Sequence, residues 1–306
     1  MPTKNTGKAL QFWFDGIERP VESVDYNQDH QEIESTDSST AGDGTEVIIG
    51  RAKRVSKIDA FLHAADGTEI ATGTLTLNTK YIVTLGTITE TAGIYPVGKI
   101  FTSDGTGVAS SSNKVKPTAG ANLNGKNISC TVAAVSAPVT AIKYAEQYSE
   151  QDATDSTTPG DTTEFITGRA KRTCTLTMIQ IKENADLLVA NPVAQAVVLT
   201  LDTGVTISGN AIFKKKSFTT SSKGDIISQS YDLVFQGAVT NNIPGLLPAA
   251  VQKAVKYIDA VGASTNKQRT GNGVILQTSI DANIKGDIKV SYTMNWAGTV
   301  TEAVAI

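Results

Sequence analysis

The sequence predicts a mainly β protein: two tandem-duplicated β-sandwich or barrel modules, each with a flanking helix, plus a small inserted β domain. Three observations predict it. The 306-residue chain is rich in Thr, Ser, Gly, Val and Ile and poor in long helical stretches, which favours strands. A 19-residue stretch, TDSSTAGDGTEVIIGRAKR at 36–54, returns at 154–172 as TDSTTPGDTTEFITGRAKR with 14 identities. The segments ending each copy then alternate apolar and polar side chains, the two-residue period of a half-buried strand.

The repeat sets the organisation. It runs upstream without a gap, Val21 meeting Val139, Val24 meeting Ile142 and Tyr26 meeting Tyr144. Each copy therefore reads as strand, polar loop, strand. The loop is dense in Ser, Thr, Asp and Gly, residues that favour turns. In the strand that follows, Arg54, Ser56, Ile58, Ala60 and Leu62 share one face, as do Arg172, Cys174, Leu176 and Met178. The opposite face carries Arg51, Lys53, Val55, Lys57 and Asp59, against Arg169, Lys171, Thr173, Thr175 and Thr177. One face is expected in a core, with Cys174 as a small core residue, and the other against water or a partner.

A weaker repeat lies downstream. KGDI at 223–226 leads into YDLVFQGAV, and KGDI at 285–288 leads into YTMNWAGTV. Tyr231, Leu233 and Phe235 share a face, as do Tyr292, Met294 and Trp296, so both read as core strands. Helices are expected before each: one at about 182–190, and one from near Pro248 with Val251, Ala254, Val255, Ile258 and Val261 on one side. The modules are then 9–63 with 245–303, split in sequence, and 139–240, continuous. The stretch 66–136 has no counterpart and reads as a small independent β domain. The closing half of the split module could instead complete a neighbouring chain.

Bulk properties narrow the function. With 40% hydrophobic and 19% charged residues and a net charge of -3, the chain has no general attraction for nucleic acid or anionic membrane. Cys130 and Cys174 form neither a zinc spacing nor a disulfide framework. MPTKNTGKALQFWFDG lacks the apolar core of a signal peptide, and no run approaches ~20 apolar residues. The expectation is a soluble protein made in a reducing cytoplasm, with the Asn127-Ile128-Ser129 sequon a chance match.

The motif VESVDY…TDSSTAGDGTEVIIGRAKR, its twin, and the segments YDLVFQGAV and YTMNWAGTV resemble the major tail tube proteins of tailed bacteriophages. The resemblance covers most of the chain outside the insert. It implies a β-sandwich or barrel with one flanking helix and a long loop between early strands. It also implies rings stacked into a tube. Two fused modules imply that three chains make a pseudo-hexameric ring, with strand edges pairing between neighbours. The implied partners are further copies of the chain and other tail proteins. DNA would be a non-specific passenger in the lumen, and no membrane is involved. The implied place is the virion tail, assembled in the host cytoplasm.

On that basis the twin loops supply the ring-stacking carboxylates Asp37, Asp43, Glu46, Asp155, Asp161 and Glu164. The basic strands supply the inter-subunit cations Arg51, Lys53, Arg54, Arg169, Lys171 and Arg172. Direct nucleic-acid contact is the competing use of those cations, but alternation divides them and no aromatic is interleaved. The carboxylates lack the closely spaced acidic run of a calcium loop, so no metal or cofactor is expected. His30 and His63, the only histidines, sit in no catalytic motif, and no enzymatic activity is expected. The remaining alternatives are a tail terminator or baseplate component of the same fold and a carbohydrate-binding β protein. Such a protein displays exposed aromatics on loops, whereas here Trp13 lies near the start and Trp296 on a core-type strand parity.

Overall fold

Alternating segments need hydrogen-bond partners along their edges. The computed structural model describes residues 10–34, 47–118, 122–153, 164–180, 193–219, 227–259 and 267–304. There, most of these segments join one 14-stranded antiparallel sheet. The first half of one unit contains β1 (Gln11–Phe14), β2 (Ile17–Arg19), β3 (Ser23–Glu34) and β4 (Val47–Phe61). Short strands follow: β5 (Gly73–Thr74), β6 (Lys80–Leu85), β7 (Thr87–Glu90), β8 (Gly93–Pro96), β9 (Ile100–Thr102), β10 (Val108–Ala109) and β11 (Lys114–Pro117). A second unit is continuous: β12 (Ser129–Val132), β13 (Val135–Pro138), β14 (Ala141–Asp152), β15 (Phe165–Gln180), β16 (Gln195–Asp202), β17 (Val205–Thr219) and β18 (Ile227–Asn241). The chain then returns to the first unit as β19 (Gln252–Asp259), β20 (Lys267–Asn283) and β21 (Lys289–Val304).

The two units share one strand order. Unit 1 runs β2-β1-β19-β20-β21-β4-β3, and unit 2 runs β13-β12-β16-β17-β18-β15-β14. Their registers match as well. Ser23 pairs with Asp59 as Ala141 pairs with Thr177, and each hairpin bulges at the same place, between His30 and Glu32 and between Tyr148 and Glu150. Unit 2's β17–β18 pair shifts register at Gly209/Asn210 and Phe213/Lys215. Unit 1's β20–β21 pair shifts at Thr270/Asn272 and Ile275/Gln277. A bulge re-aims every side chain beyond it, so shared bulges mean shared core geometry. Even the first hairpin turns agree: Asp15 and Gly16 have φ of 56° and 74°, and Ala133 and Ala134 have 46° and 72°. Two consecutive positive φ values suit the twist of a two-residue hairpin, and unit 2 adopts them without glycine.

The structure corrects two expectations. The helix from near Pro248 is the strand β19, paired with β20 on one edge and β1 on the other. The apolar spacing there also fits a two-residue period, because Val255 and Tyr257 are buried while Val251 stays exposed. A β-branched and an aromatic residue with partners on both edges favour the strand. The helix expected at 182–190 falls outside the described residues. The stretch 66–136 does not form one body either, since β12 and β13 pair with β16 and belong to unit 2's sheet.

The part of the sheet in unit 1 curls on itself. β3 and β19 lie four steps apart in unit 1, yet the Tyr26 and Tyr257 ring centroids are 6.4 Å apart. Tyr26 also meets Trp296 edge-on at 6.2 Å, as Tyr144 meets Phe235 at 5.9 Å in unit 2. The alternating faces pack inward: Ser56, Ile58, Ala60 and Leu62 are buried, with Cys174, Leu176 and Met178 at the equivalent positions. One core runs through both units. The indole of Trp296 donates to Ser56 Oγ at 2.9 Å. At the equivalent positions unit 2 has Phe235 and Cys174, a ring with nothing to donate beside a thiol that is a poor acceptor.

The strands between the units build a second, smaller core from Leu75, Tyr81, Val83, Ile88, Phe101, Ala109 and Val115. Its sheets are β11-β6-β9, β7-β8 and β10-β5. This body docks on the first hairpin of unit 1. Glu18 N–H donates to Gly98 O at 2.8 Å, and the Glu18 carboxylate accepts from Lys99 Nζ at 3.1 Å and Ile100 N at 2.8 Å. A cleft beside the joint is lined by Arg19, His63, Lys80 and Tyr292. Burial, with the Lys80 ammonium adding to it, pushes the His63 imidazole below its ordinary 6.5.

Two predictions follow from this packing. Ser56→Ala strands the buried indole N–H and should cost about 1–3 kcal/mol in urea unfolding. Adding Trp296→Phe should recover most of that loss; a double variant no more stable than Ser56→Ala would count against the pairing. For His63, the unfolded chain protonates at higher pH than the folded one. Its contribution to stability is therefore complete above about pH 6.5 and declines as pH falls below it. The thermal midpoint of His63→Asn should drop less than that of the parent between about pH 7.5 and 5.5, and equal drops would exclude this contribution.

Candidate functional site

A sheet that continues from unit to unit needs a junction, and β14 and β20 make it. Ala141–Gln147 pair antiparallel with Asn283–Gln277 in an unbroken register. β20 can serve both units because its two halves have different neighbours on that edge: β19 along Lys267–Val274 and β14 along Gln277–Asn283. The junction is well packed, with Ile142, Tyr144, Thr278, Ile280 and Ala282 all buried. Burial also raises the Tyr144 phenol well above its ordinary range. Charges bracket the seam. Lys143 Nζ stands 4.0 Å from Asp281, and Lys53 of unit 1 reaches Glu150 of unit 2 at 3.0 Å.

The basic strands divide as their alternation implies. Arg54 and Arg172 turn inward. Arg54 Nε donates to Gln28 Oε1 at 3.1 Å, which also accepts from Tyr26 OH at 3.0 Å. Arg172 meets Glu146 at 2.6 Å and donates to Gly237 O at 3.2 Å, while Tyr148 OH donates to the same carboxylate at 2.9 Å. Burial opposes the Arg172 charge, but Glu146 more than offsets it and the guanidinium holds its proton more firmly than usual. These arginines tie the β3–β4 and β14–β15 hairpins together. Lys53, Arg169 and Lys171 are exposed and Arg51 is half-buried. Among the twin-loop carboxylates, Asp37, Asp43, Glu46, Asp155 and Asp161 lie outside the described residues. Glu164 is exposed, and its backbone carbonyl accepts from Ala153 N–H at 2.9 Å.

Two edges equivalent to the two sides of the junction stay open among the described residues. β3, the counterpart of β14, pairs only with β4. β17, the counterpart of β20, pairs with β16 only as far as Ala211, so its Phe213–Thr219 stretch has a neighbour on the β18 side alone. Sequence reasoning passed over both edges. The available signal was their charge: β3 carries Asp25, Asp29, Glu32 and Glu34, and β17 carries Lys214, Lys215 and Lys216.

Among the described residues no group of three or more His, Cys, Asp or Glu side chains is placed to hold a metal ion. His30 contacts Gln28 and the Gly50 carbonyl at the surface. Trp296 is buried, and Trp13 has the Lys99 and Lys256 ammonium groups over its ring at 5.3 and 4.8 Å. Cys130 and Cys174 are buried free thiols, and burial alone pushes Cys130 up to about 12. No family model and no curated protein matches the chain.

Junction and open edge should respond differently to truncation. Ile280→Ala opens a cavity in the seam and should destabilise the chain by about 2–5 kcal/mol. Phe218→Ala, at the equivalent place on the open edge, should change the stability of the isolated chain by less than about 0.5 kcal/mol. Denaturant melts of the two variants at low protein concentration make the comparison.

Proposed function

We propose that the chain is a structural subunit of a bacteriophage tail tube, its two seven-strand units being fused tube modules that arose by duplication. Three chains would then form a pseudo-hexameric ring, and rings would stack into a channel through which DNA passes during ejection. The observation that carries this reading is the junction: two units of matching order, register and bulges share one sheet edge to edge, and among the described residues the equivalent edges of β3 and β17 are unpaired. A part that already joins to its own likeness is suited to a repeating assembly. The net charge of -3 also suits a conduit, because a lumen that neutralised phosphates would hold the DNA it must release.

On this reading the loops at 36–46 and 154–164 occupy equivalent places in the two modules and supply the contacts between stacked rings. The small domain, docked through Glu18 on the first hairpin of unit 1, decorates the outside. The partners are further copies of the chain and other tail proteins, the DNA is an unspecific passenger, and the place of action is the virion tail after assembly in the host cytoplasm.

Negative-stain microscopy of the purified protein tests the reading. Rings with threefold symmetry and a central channel, alone or stacked, are expected. A chain that stays monomeric at high concentration in light scattering would sink it.

A further inference from the structure

We propose that β3 of one copy pairs antiparallel with β17 of a second copy, in the register that β14 and β20 use within each chain. The pairing names the contact that a ring requires and rests on the ring reading only in taking the partner to be another copy. Its geometry comes from the junction. Transposing the junction from Lys143↔Asp281 through Gln147↔Gln277 onto the equivalent strands sets Asp25 opposite Thr219 and Asp29 opposite Lys215.

Three independent features of the open edges fit this register. The first is charge. Ser23–Glu34 holds four carboxylates and no Lys or Arg, whereas Val205–Thr219 holds three lysines and no Asp or Glu. Opposite charges across antiparallel strands favour the pair, and like charges oppose a copy of either strand pairing with itself. The register places Asp29 against Lys215 without adjustment.

The second is apolar surface. Phe218 is 57% exposed, yet it stands at the position of Ile280, which is 1% exposed beneath β14. Tyr144, opposite Ile280, is buried, while its counterpart Tyr26 is half-buried. The transposed register brings Phe218 opposite Tyr26, so the aromatic that lies open on one edge meets the aromatic waiting on the other.

The third is the ion pair across the seam. Lys53 of unit 1 reaches Glu150 of unit 2 at 3.0 Å. Their equivalents are Lys171 in unit 2 and Glu32 in unit 1, both exposed. The same step therefore brings Glu32 of one copy to Lys171 of the next. The contact is heterologous: each copy uses β3 on one side and β17 on the other. It therefore propagates from copy to copy and ends only when the series closes.

Cross-linking of the full chain tests the pairing. Asn27→Cys and Ser217→Cys face each other in the proposed register, and the native Cys130 and Cys174 are buried. Mild oxidation should give a ladder of covalently joined copies on a non-reducing gel. Asn27→Cys combined with Asn210→Cys, a mismatched pair on the same strands, should give none. In parallel, Glu32→Lys should weaken association about tenfold by sedimentation velocity, and adding Lys171→Glu should restore it. Copies that assemble normally with neither ladder nor charge effect would overturn this contact while leaving the ring reading in place, and equal ladders from both cysteine pairs would overturn the register. A chain that never associates would overturn both.

Discussion

A β-strand has two edges, and its backbone must be satisfied on each. That constraint organises the molecule. Inside each unit it is met by pairing seven strands in one order, and unit 1 wraps until Tyr26 of β3 meets Tyr257 of β19. Between units it is met by β20, a strand long enough to serve β19 with one half and β14 with the other. Without the β14–β20 seam the two units would be separate, and Ile280 would stand exposed as Phe218 does. With it, both units share one sheet and one core, while β3 and the end of β17 keep unpaired the edges that their counterparts β14 and β20 use in the seam.

The seam also explains differences between otherwise equivalent positions. Glu146 and Tyr148 grip Arg172 beside the junction, where unit 1 has the softer set of Gln28, His30 and Arg54 at the open edge. The cores diverge in a compensated way: an indole with a hydroxyl acceptor in one unit, a phenyl ring with a thiol in the other. Backbone features are held more strictly than side chains. Register, bulges and the first hairpin turn agree even where Asp15-Gly16 is replaced by Ala133-Ala134, which must adopt positive φ without the glycine that makes it easy.

Much of this was legible in the residues, for a physical reason. A two-residue period has few other causes, so the buried faces of β4, β15, β18 and β21 could be read directly, and the 36–54 repeat exposed the equivalence of the hairpins that flank it. β19 was misread because Val251, Val255 and Ile258 satisfy a helical spacing as well as a strand's, and only the neighbouring β1 and β20 decide between them. β12 and β13 were assigned to the inserted domain because they match β1 and β2 in register but hardly in residues: Phe12, Trp13 and Phe14 correspond to Cys130, Thr131 and Val132. The candidate site was less legible still. GRAKR drew notice by repeating, yet its arginines in the fifth place, Arg54 and Arg172, turn inward to brace hairpins. The charged edges of β3 and β17 do not repeat, because each is complementary to the other rather than similar to its twin.

The nesting of one unit within the other has a consequence in time. Unit 2 is continuous, so its strands follow one another from the ribosome and can close as they emerge. Unit 1 begins earlier but finishes later, since β1 must wait for β19 and β4 for β21, more than two hundred residues downstream of the first hairpin. β14, ready long before its partner, waits as well. The order of synthesis thus makes the seam and the completed unit 1 appear together, after the β17 edge of unit 2 has already been made.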